Sequence, residues 1–281
     1  MKNTNEKKHL FAAFGSHCID YYENLDGGTP FAGGGPLNTA VHMSRLGIPS
    51  LFAGCVGSDA YGALLLREMI RSHVDTSCVH VVSGNSAVCE VYLQGNERIL
   101  GDYAEGVMKD FRLSEKDLDV IAAADLCLCD LWGNQEDCFP LLKAKGARIA
   151  FDSADAPDDE RCRKVLPYVD ILFFSSEEDS PAVRRKMQEF HRAGVSIVVT
   201  TFGAKGSAAL DETGFTLCEA EKTDDVLDSM GAGDTYIAGF LHEIILGRSI
   251  YEAMKKGSSA AAETLKYHGA FPQEANHGIP E

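Results

Sequence analysis

The chain has 281 residues, 45% of them hydrophobic and 24% charged, which suits a folded protein with one sizeable core and excludes a disordered chain. Asp and Glu number 42 against 26 Lys and Arg, a formal net charge of −16 that repels polyanions and excludes an extended DNA or RNA footprint. No apolar run reaches the length of a membrane span and the stretch Met1 to Lys8 is polar, so the expectation is a cytoplasmic protein with no membrane partner.

In chain order, HLFAAFG (9–15) opens a strand, Pro36 to Leu46 reads as a helix, and Ser86 to Tyr103 alternates like a hairpin broken at Gly95-Asn96. From Asp125 onward short apolar runs alternate with amphipathic stretches: LCLCD, a helix to Lys145, ARIAFD, a segment through Leu166, DILFFS, a long helix and VSIVVT. That alternation predicts βαβ units and an α/β, doubly wound, mostly parallel sheet, treated as a single domain over 1–281. The hairpin and the N-terminal loop supply a small β-lid near 16–34 and 86–104, able to exclude water from a site at the sheet edge. Cys127 and Cys129 share one face of LCLCD while Leu126 and Leu128 take the other, as in a strand buried on both sides. With nine cysteines and no CxxC pair, reduced and mostly buried thiols fit better than a metal centre. Near the end, Ile237, Phe240, Leu241, Ile244 and Ile245 follow helical spacing with Gly247 as the stop, and Ser249 with Glu252 forms a capping box that starts a second helix.

Three segments carry candidate chemistry. Asp228-Ser229-Met230-Gly231-Ala232-Gly233-Asp234-Thr235 precedes the penultimate helix, so the N–H groups of Gly231, Ala232 and Gly233 can converge on an anion with help from the helix dipole. Asp234 beside such a hole opposes anion binding unless it works as a proton acceptor; the alternative is a glycine-rich turn with Asp234 in the first turn of the helix. Gly203-Ala204-Lys205-Gly206 follows the strand VSIVVTT, where backbone can approach a nucleotide, or it turns a hairpin between two strands. Gly33-Gly34-Gly35 with Asn38, and Asp20 upstream, suit sugar hydroxyls, or form a loop and a cap.

The order of these motifs, together with Gly57-Ser58-Asp59-Ala60-Tyr61-Gly62, resembles the ribokinase, or PfkB, family of carbohydrate kinases from Leu10 to Phe271. The resemblance implies a ribokinase-like fold whose β-lid serves as a homodimer interface, with ATP and Mg2+ supplying the phosphoryl group. It implies that Asp234 is the base, that the 231–233 amides form the anion hole, that Asp20, Gly33, Gly34 and Asn38 hold the sugar, and that Thr201, Gly203 and Gly206 line the nucleotide site. The family's Asn-x-x-Glu segment is replaced by Ser175-Ser176-Glu177-Glu178, which leaves Glu178 to hold the metal through water. A monovalent cation site near Asp228 is also implied, beside a plainer role for Asp228 as a cap. Within the family, Asn96-Glu97-Arg98, GDYAEGVM (101–108), Leu131-Trp132-Gly133, Asp228-Ser229-Met230 and Tyr267-His268-Gly269-Ala270 are similar to the branch that phosphorylates fructosamines such as fructoselysine at the sugar 6-hydroxyl. On that likeness Arg98 approaches the substrate from the lid, or else pairs with Asp102 or Glu105; Trp132 is placed in the core, and Asp102 and Glu105 are read as surface carboxylates. Another sugar or nucleoside kinase and an inactive sugar-binding regulator are the competing functions. A nicotinamide oxidoreductase lacks its G-x-G-x-x-G after the first strand.

Overall fold

The computed structural model describes residues 8–95, 97–223 and 226–273, so Asn96 of the expected break at Gly95-Asn96 and the first seven residues of the polar N-terminal stretch lie outside the described residues. The first half of the chain contains β1 (Phe11–Phe14), β2 (Cys18–Tyr22), β3 (Thr29–Gly33), α1 (Gly35–Arg45), β4 (Ser50–Gly57), α2 (Ala60–Arg71), β5 (Val74–Val82), β6 (Val88–Gln94), β7 (Glu97–Ala104), α3 (Glu115–Ala122) and β8 (Leu126–Asp130). There follow α4 (Phe139–Ala144), β9 (Ile149–Asp152), α5 (Glu160–Val165), β10 (Ile171–Ser175), α6 (Pro181–Arg192), β11 (Ile197–Thr201), β12 (Ser207–Asp211), β13 (Gly214–Cys218), α7 (Ala232–Ile245) and α8 (Ile250–Thr264). None of the described helices is long and apolar enough to cross a membrane.

Nine strands form one sheet in the order β13-β12-β11-β10-β9-β8-β1-β4-β5. Pairing is parallel from β11 to β5, and β12 and β13 return antiparallel at one edge. Parallel strands need both faces covered, and alternation along β8 does this: Leu126 and Leu128 join the core under α1, α2, α7 and α8, while Cys127 and Cys129 join the core under α3 to α6. All nine cysteines are free, and eight are buried. The second run, β4 to β5 with α2 between, went unforeseen; its Asp59 caps α2 by accepting from Gly62 N at 2.7 Å. The capping box at Ser249 and Glu252 forms as expected.

The two C-terminal helices sit close because their contact is glycine. A side chain at Gly239 would stand 2.8 Å from Lys256 O, and one at Gly257 would stand 2.7 Å from Tyr236 O. Phe240 is fully buried and meets Phe173 edge-on at 5.4 Å. Truncating Phe240 to alanine would cost about 3–5 kcal/mol and loosen the helix that carries Asp234.

A separate four-stranded sheet, β3-β2-β6-β7, takes in residues from both stretches assigned to the lid. Its β2 pairs antiparallel with β3 and parallel with β6, and β7 closes the sheet as an exposed edge.

Candidate active site

Ligands of open parallel sheets sit beyond the carboxyl ends of the strands, and here those ends carry acid. Asp130 and Asp152 close β8 and β9 and are register partners, so alternation turns both toward the face covered by α1 and α7. The N-cap of α7 is Gly231, with φ 72 and a missing side chain that would stand 2.5 Å from Ala270 Cβ; a left-handed residue with no room for a β-carbon has to be glycine. Asp234 occupies the first turn, and Asn38 Nδ2 from α1 donates to Asp234 Oδ2 at 2.7 Å. The first residue of α1, Gly35, is wedged between two carboxylates: a β-carbon there would lie 3.2 Å from Asp234 Oδ1 and 3.7 Å from Asp130 Oδ2.

The lid sheet supplies the opposite wall. Asp20 on β2 folds its carboxylate over Gly33, filling the space that any side chain at Gly33 would need, while Gly34 (φ 102) rides on the backbone of Ser16 and His17. Asp20 is buried, and its Oδ2 has no hydrogen-bond partner. Burial pushes the Asp20 carboxyl up to about 7, against the pull of the Arg98 charge and of the Cys18 thiol, which donates to Asp20 Oδ1 at 3.6 Å. Asp234 is likewise raised by burial and held back by the Asn38 hydrogen bond and by Arg98. Burial carries Asp130 to about 6 despite donors from the Ser16 hydroxyl and N–H, and Asp152 to about 7 despite the Ala154 N–H at 2.9 Å. A group of carboxylates all raised by burial, with Asp234 bonded to an amide at a helix N-terminus, holds proton acceptors more basic than ordinary carboxylates.

The structure brings together Asp20, Gly33, Gly34, Asn38, Arg98 and Gly231 to Asp234. Arg98 is exposed on β7, and its charge acts on both Asp20 and Asp234; Glu105 accepts instead from Asn134 Nδ2 at 2.6 Å. Of the three amides, that of Ala232 makes a long 3.4 Å contact with Ser229 O, and the space beside Gly233 is open. The 203–206 segment does turn a hairpin, since β11 and β12 are antiparallel, and this turn stands at the carboxyl end of β11, beside Thr201. Gly203 (φ 56) faces open space, whereas Gly206 is buried against the Cys218 backbone. The Tyr236 hydroxyl donates to Ser207 Oγ at 2.9 Å, tying this turn to α7 two residues beyond Asp234. Glu178 is exposed on the loop after β10, and among the described residues no three His, Cys, Asp or Glu side chains are grouped to hold a metal.

One expectation changes. Trp132 is not core: it is 44% exposed, with Arg161 Cζ 5.1 Å above its ring, because the chain leaves the sheet at Asp130 and turns outward. Asp228 has no exposed surface; its Oδ1 accepts from Met230 N and its Oδ2 from the Tyr22 hydroxyl at 2.6 Å and from Gly269 N, which is the plainer of the two roles weighed for it. Asp130 and Asp152 went unread, although the terminal Asp of LCLCD and of ARIAFD, each closing a buried strand, was the available signal.

The family model for pfkB family carbohydrate kinases matches residues 9–275. A fructoselysine 6-kinase of Shigella flexneri is 40% identical over 260 residues, covering 92% of this chain and 98% of the relative. The fructosamine kinase FrlD of Bacillus subtilis (strain 168) is 31% identical over 264 residues, covering 92% of each chain. Among solved structures, the Arabidopsis thaliana ribokinase complexed with ribose and ATP superposes with a TM-score of 0.79 at 24% identity, over 94% of both chains, a likeness of fold. The chain therefore belongs to the pfkB family of carbohydrate kinases and is an ATP-dependent sugar kinase with the ribokinase fold.

Proposed function

We propose that the enzyme phosphorylates a fructosamine, fructoselysine or a close relative, at the sugar 6-hydroxyl, with Asp234 as the base. The Asn38–Asp234 hydrogen bond is the observation that carries this reading. It fixes one carboxylate oxygen of Asp234 and leaves the other to receive the hydroxyl proton, in the first turn of a helix whose N-terminal N–H groups meet no carbonyl of their own helix. The amides of Gly231, Ala232 and Gly233 then stabilise negative charge on the transferred phosphoryl group. Asp20 and Asn38 hold sugar hydroxyls: Asp20 Oδ2 and Asn38 Oδ1 are buried acceptors without donors, and a polyol supplies donors. Gly33 and Gly34 bring backbone to the same sugar, and Arg98 reaches it from β7.

ATP fits the carboxyl edge beside Thr201, Gly203 and Gly206, where the open side of Gly203 leaves room for a ligand. With Glu178 exposed on a loop and not grouped with other ligands among the described residues, Mg2+ would be held largely by phosphate oxygens and water, and when bound it would neutralise phosphate charge. Both oxygens of Asp228 are engaged, so a monovalent cation would be left with backbone carbonyls, and no step here depends on one. The four-stranded sheet serves as a lid that closes over the sugar. Tyr92 and Ile99, 41% and 47% exposed on that sheet, are apolar surface suited to a second copy of the chain. Nine free thiols suit a reducing cytoplasm.

The test is ADP release with ATP and Mg2+ over a panel of fructoselysine, other fructosamines, fructose, ribose and nucleosides, with Asp234→Asn as control. Fructosamine-dependent turnover lost in the variant supports the proposal. Turnover with a different acceptor retires the fructosamine, and binding without turnover favours a regulator.

A further inference from the structure

Beyond the acceptors assigned to the sugar, the lid sheet carries a second set of polar side chains. Asp20, Cys89 and Tyr103 are register partners across β2, β6 and β7, so their side chains share one face of the lid sheet. Tyr103 remains 40% exposed on that face, and burial of its hydroxyl, followed by the fields of Cys18, Asp130 and Glu105, opposes its ionisation. Glu105 follows directly on β7 and begins a turn that is anchored to the neighbouring loop by Val107 N to Asn85 O at 2.9 Å. Across from it, Asn134, held in a left-handed conformation at φ 53, donates its amide to Glu105 Oε1 at 2.6 Å. That bond fastens the lid-side carboxylate to the segment leaving β8, four residues beyond Asp130. Glu105 Oε2 carries no hydrogen bond among the described residues.

A fructosamine differs from fructose by a secondary ammonium on C1, at the far end of the sugar from the 6-hydroxyl. With the 6-hydroxyl placed at Asp234 as proposed above, the C1 end is the part of the sugar farthest from Asp234, left for the lid residues to meet. The unmet demand there is for a donor that is also a cation. An aromatic face beside a carboxylate meets an alkylammonium well, since the ring attracts the charge and the acid pairs with it.

We propose that Glu105, fastened by Asn134 and flanked by Tyr103, receives the substrate's secondary ammonium and makes the enzyme prefer fructosamines to fructose. This rests on the fructosamine reading above and adds the residues that enforce it. Glu105 is a binding residue; Asn134 is a positioning residue that acts through it.

The experiment compares kcat/KM for fructoselysine with that for fructose, by ADP release, in the wild type, Glu105→Gln and Asn134→Ala. Losing a charged partner for the ammonium should lower the fructoselysine-to-fructose ratio about tenfold in Glu105→Gln, mainly through KM. Asn134→Ala should lower the same ratio by a smaller factor, and it keeps the proposal testable should the first variant not fold. General damage to the fold moves both substrates together and leaves the ratio alone. Wild type that phosphorylates fructoselysine, with a ratio that stays within threefold in the variants, overturns the Glu105 assignment and leaves the substrate reading standing. A wild type that takes no fructosamine overturns both.

Discussion

Asp228 and Asp234 stand six residues apart on either side of the start of α7, and their surroundings differ in kind. Asp228 is fully buried with three donors on its two oxygens, from Met230, Tyr22 and Gly269. Asp234 has one donor, Asn38, is half-buried at the start of α7 and is raised by burial. A carboxylate whose acceptors are all used holds the chain together, whereas one whose acceptors are half used is available for a reacting group. The sequence already reads Asp234 as a proton acceptor and offers Asp228 a cap, but the donors that set them apart, Asn38 on one and Tyr22 and Gly269 on the other, come from distant residues.

The largest expected effect breaks this contrast from the reactive side. Asp234→Asn should keep the shape and the Asn38 neighbourhood but remove the proton acceptor, lowering kcat by about 10²–10⁴ while the unfolding midpoint stays near that of the wild type. A loss of stability in place of turnover would put Asp234 in the same class as Asp228. From the other side, Asp228→Ala strands three buried donors and should cost about 3 kcal/mol in urea unfolding. A variant that unfolds like the wild type would contradict the structural role.

Lid chemistry sharpens the comparison further. Gly33→Ala pushes a methyl group into the space held by the Asp20 carboxylate, so KM for the sugar should rise about tenfold with a smaller change in kcat. A wild-type KM in this variant would take Asp20 out of the sugar site.

The pH dependence of stability has a definite sign. Asp20, Asp130 and Asp152 rise from an ordinary value of 3.8 to about 7, 6 and 7 in the folded protein. The native state therefore binds protons more tightly than the unfolded chain. The stability this contributes is complete below pH ~4 and is lost as pH climbs through 6 to 7. The unliganded protein should melt lower at pH 8 than at pH 5.5, and Asp130→Asn should flatten the slope by removing one titrating group. A steeper slope in that variant would contradict the environment described for Asp130.

Legibility followed the same physical line. Periodicity exposed the buried strands and the two C-terminal helices, because burial on both faces leaves unbroken apolar runs such as LCLCD. The glycine-rich starts of α1 and α7 were legible because a left-handed φ or a close backbone approach leaves glycine little competition. Pairing across 196 residues, as between Asn38 and Asp234, has no local trace in the chain. Asp130 and Asp152 escaped for that reason: each reads as the polar end of a strand until the sheet sets the two side by side. Trp132, expected in the core, is 44% exposed because the chain turns outward after Asp130, where Arg161 lies over its ring.

The most direct test of the central claim is ADP release with fructoselysine by wild-type protein and by Asp234→Asn, measured beside a binding titration of each. The account predicts turnover by the wild type and its near-complete loss in the variant, with substrate binding retained. Equal turnover by the two proteins would contradict the assignment of Asp234 as the base.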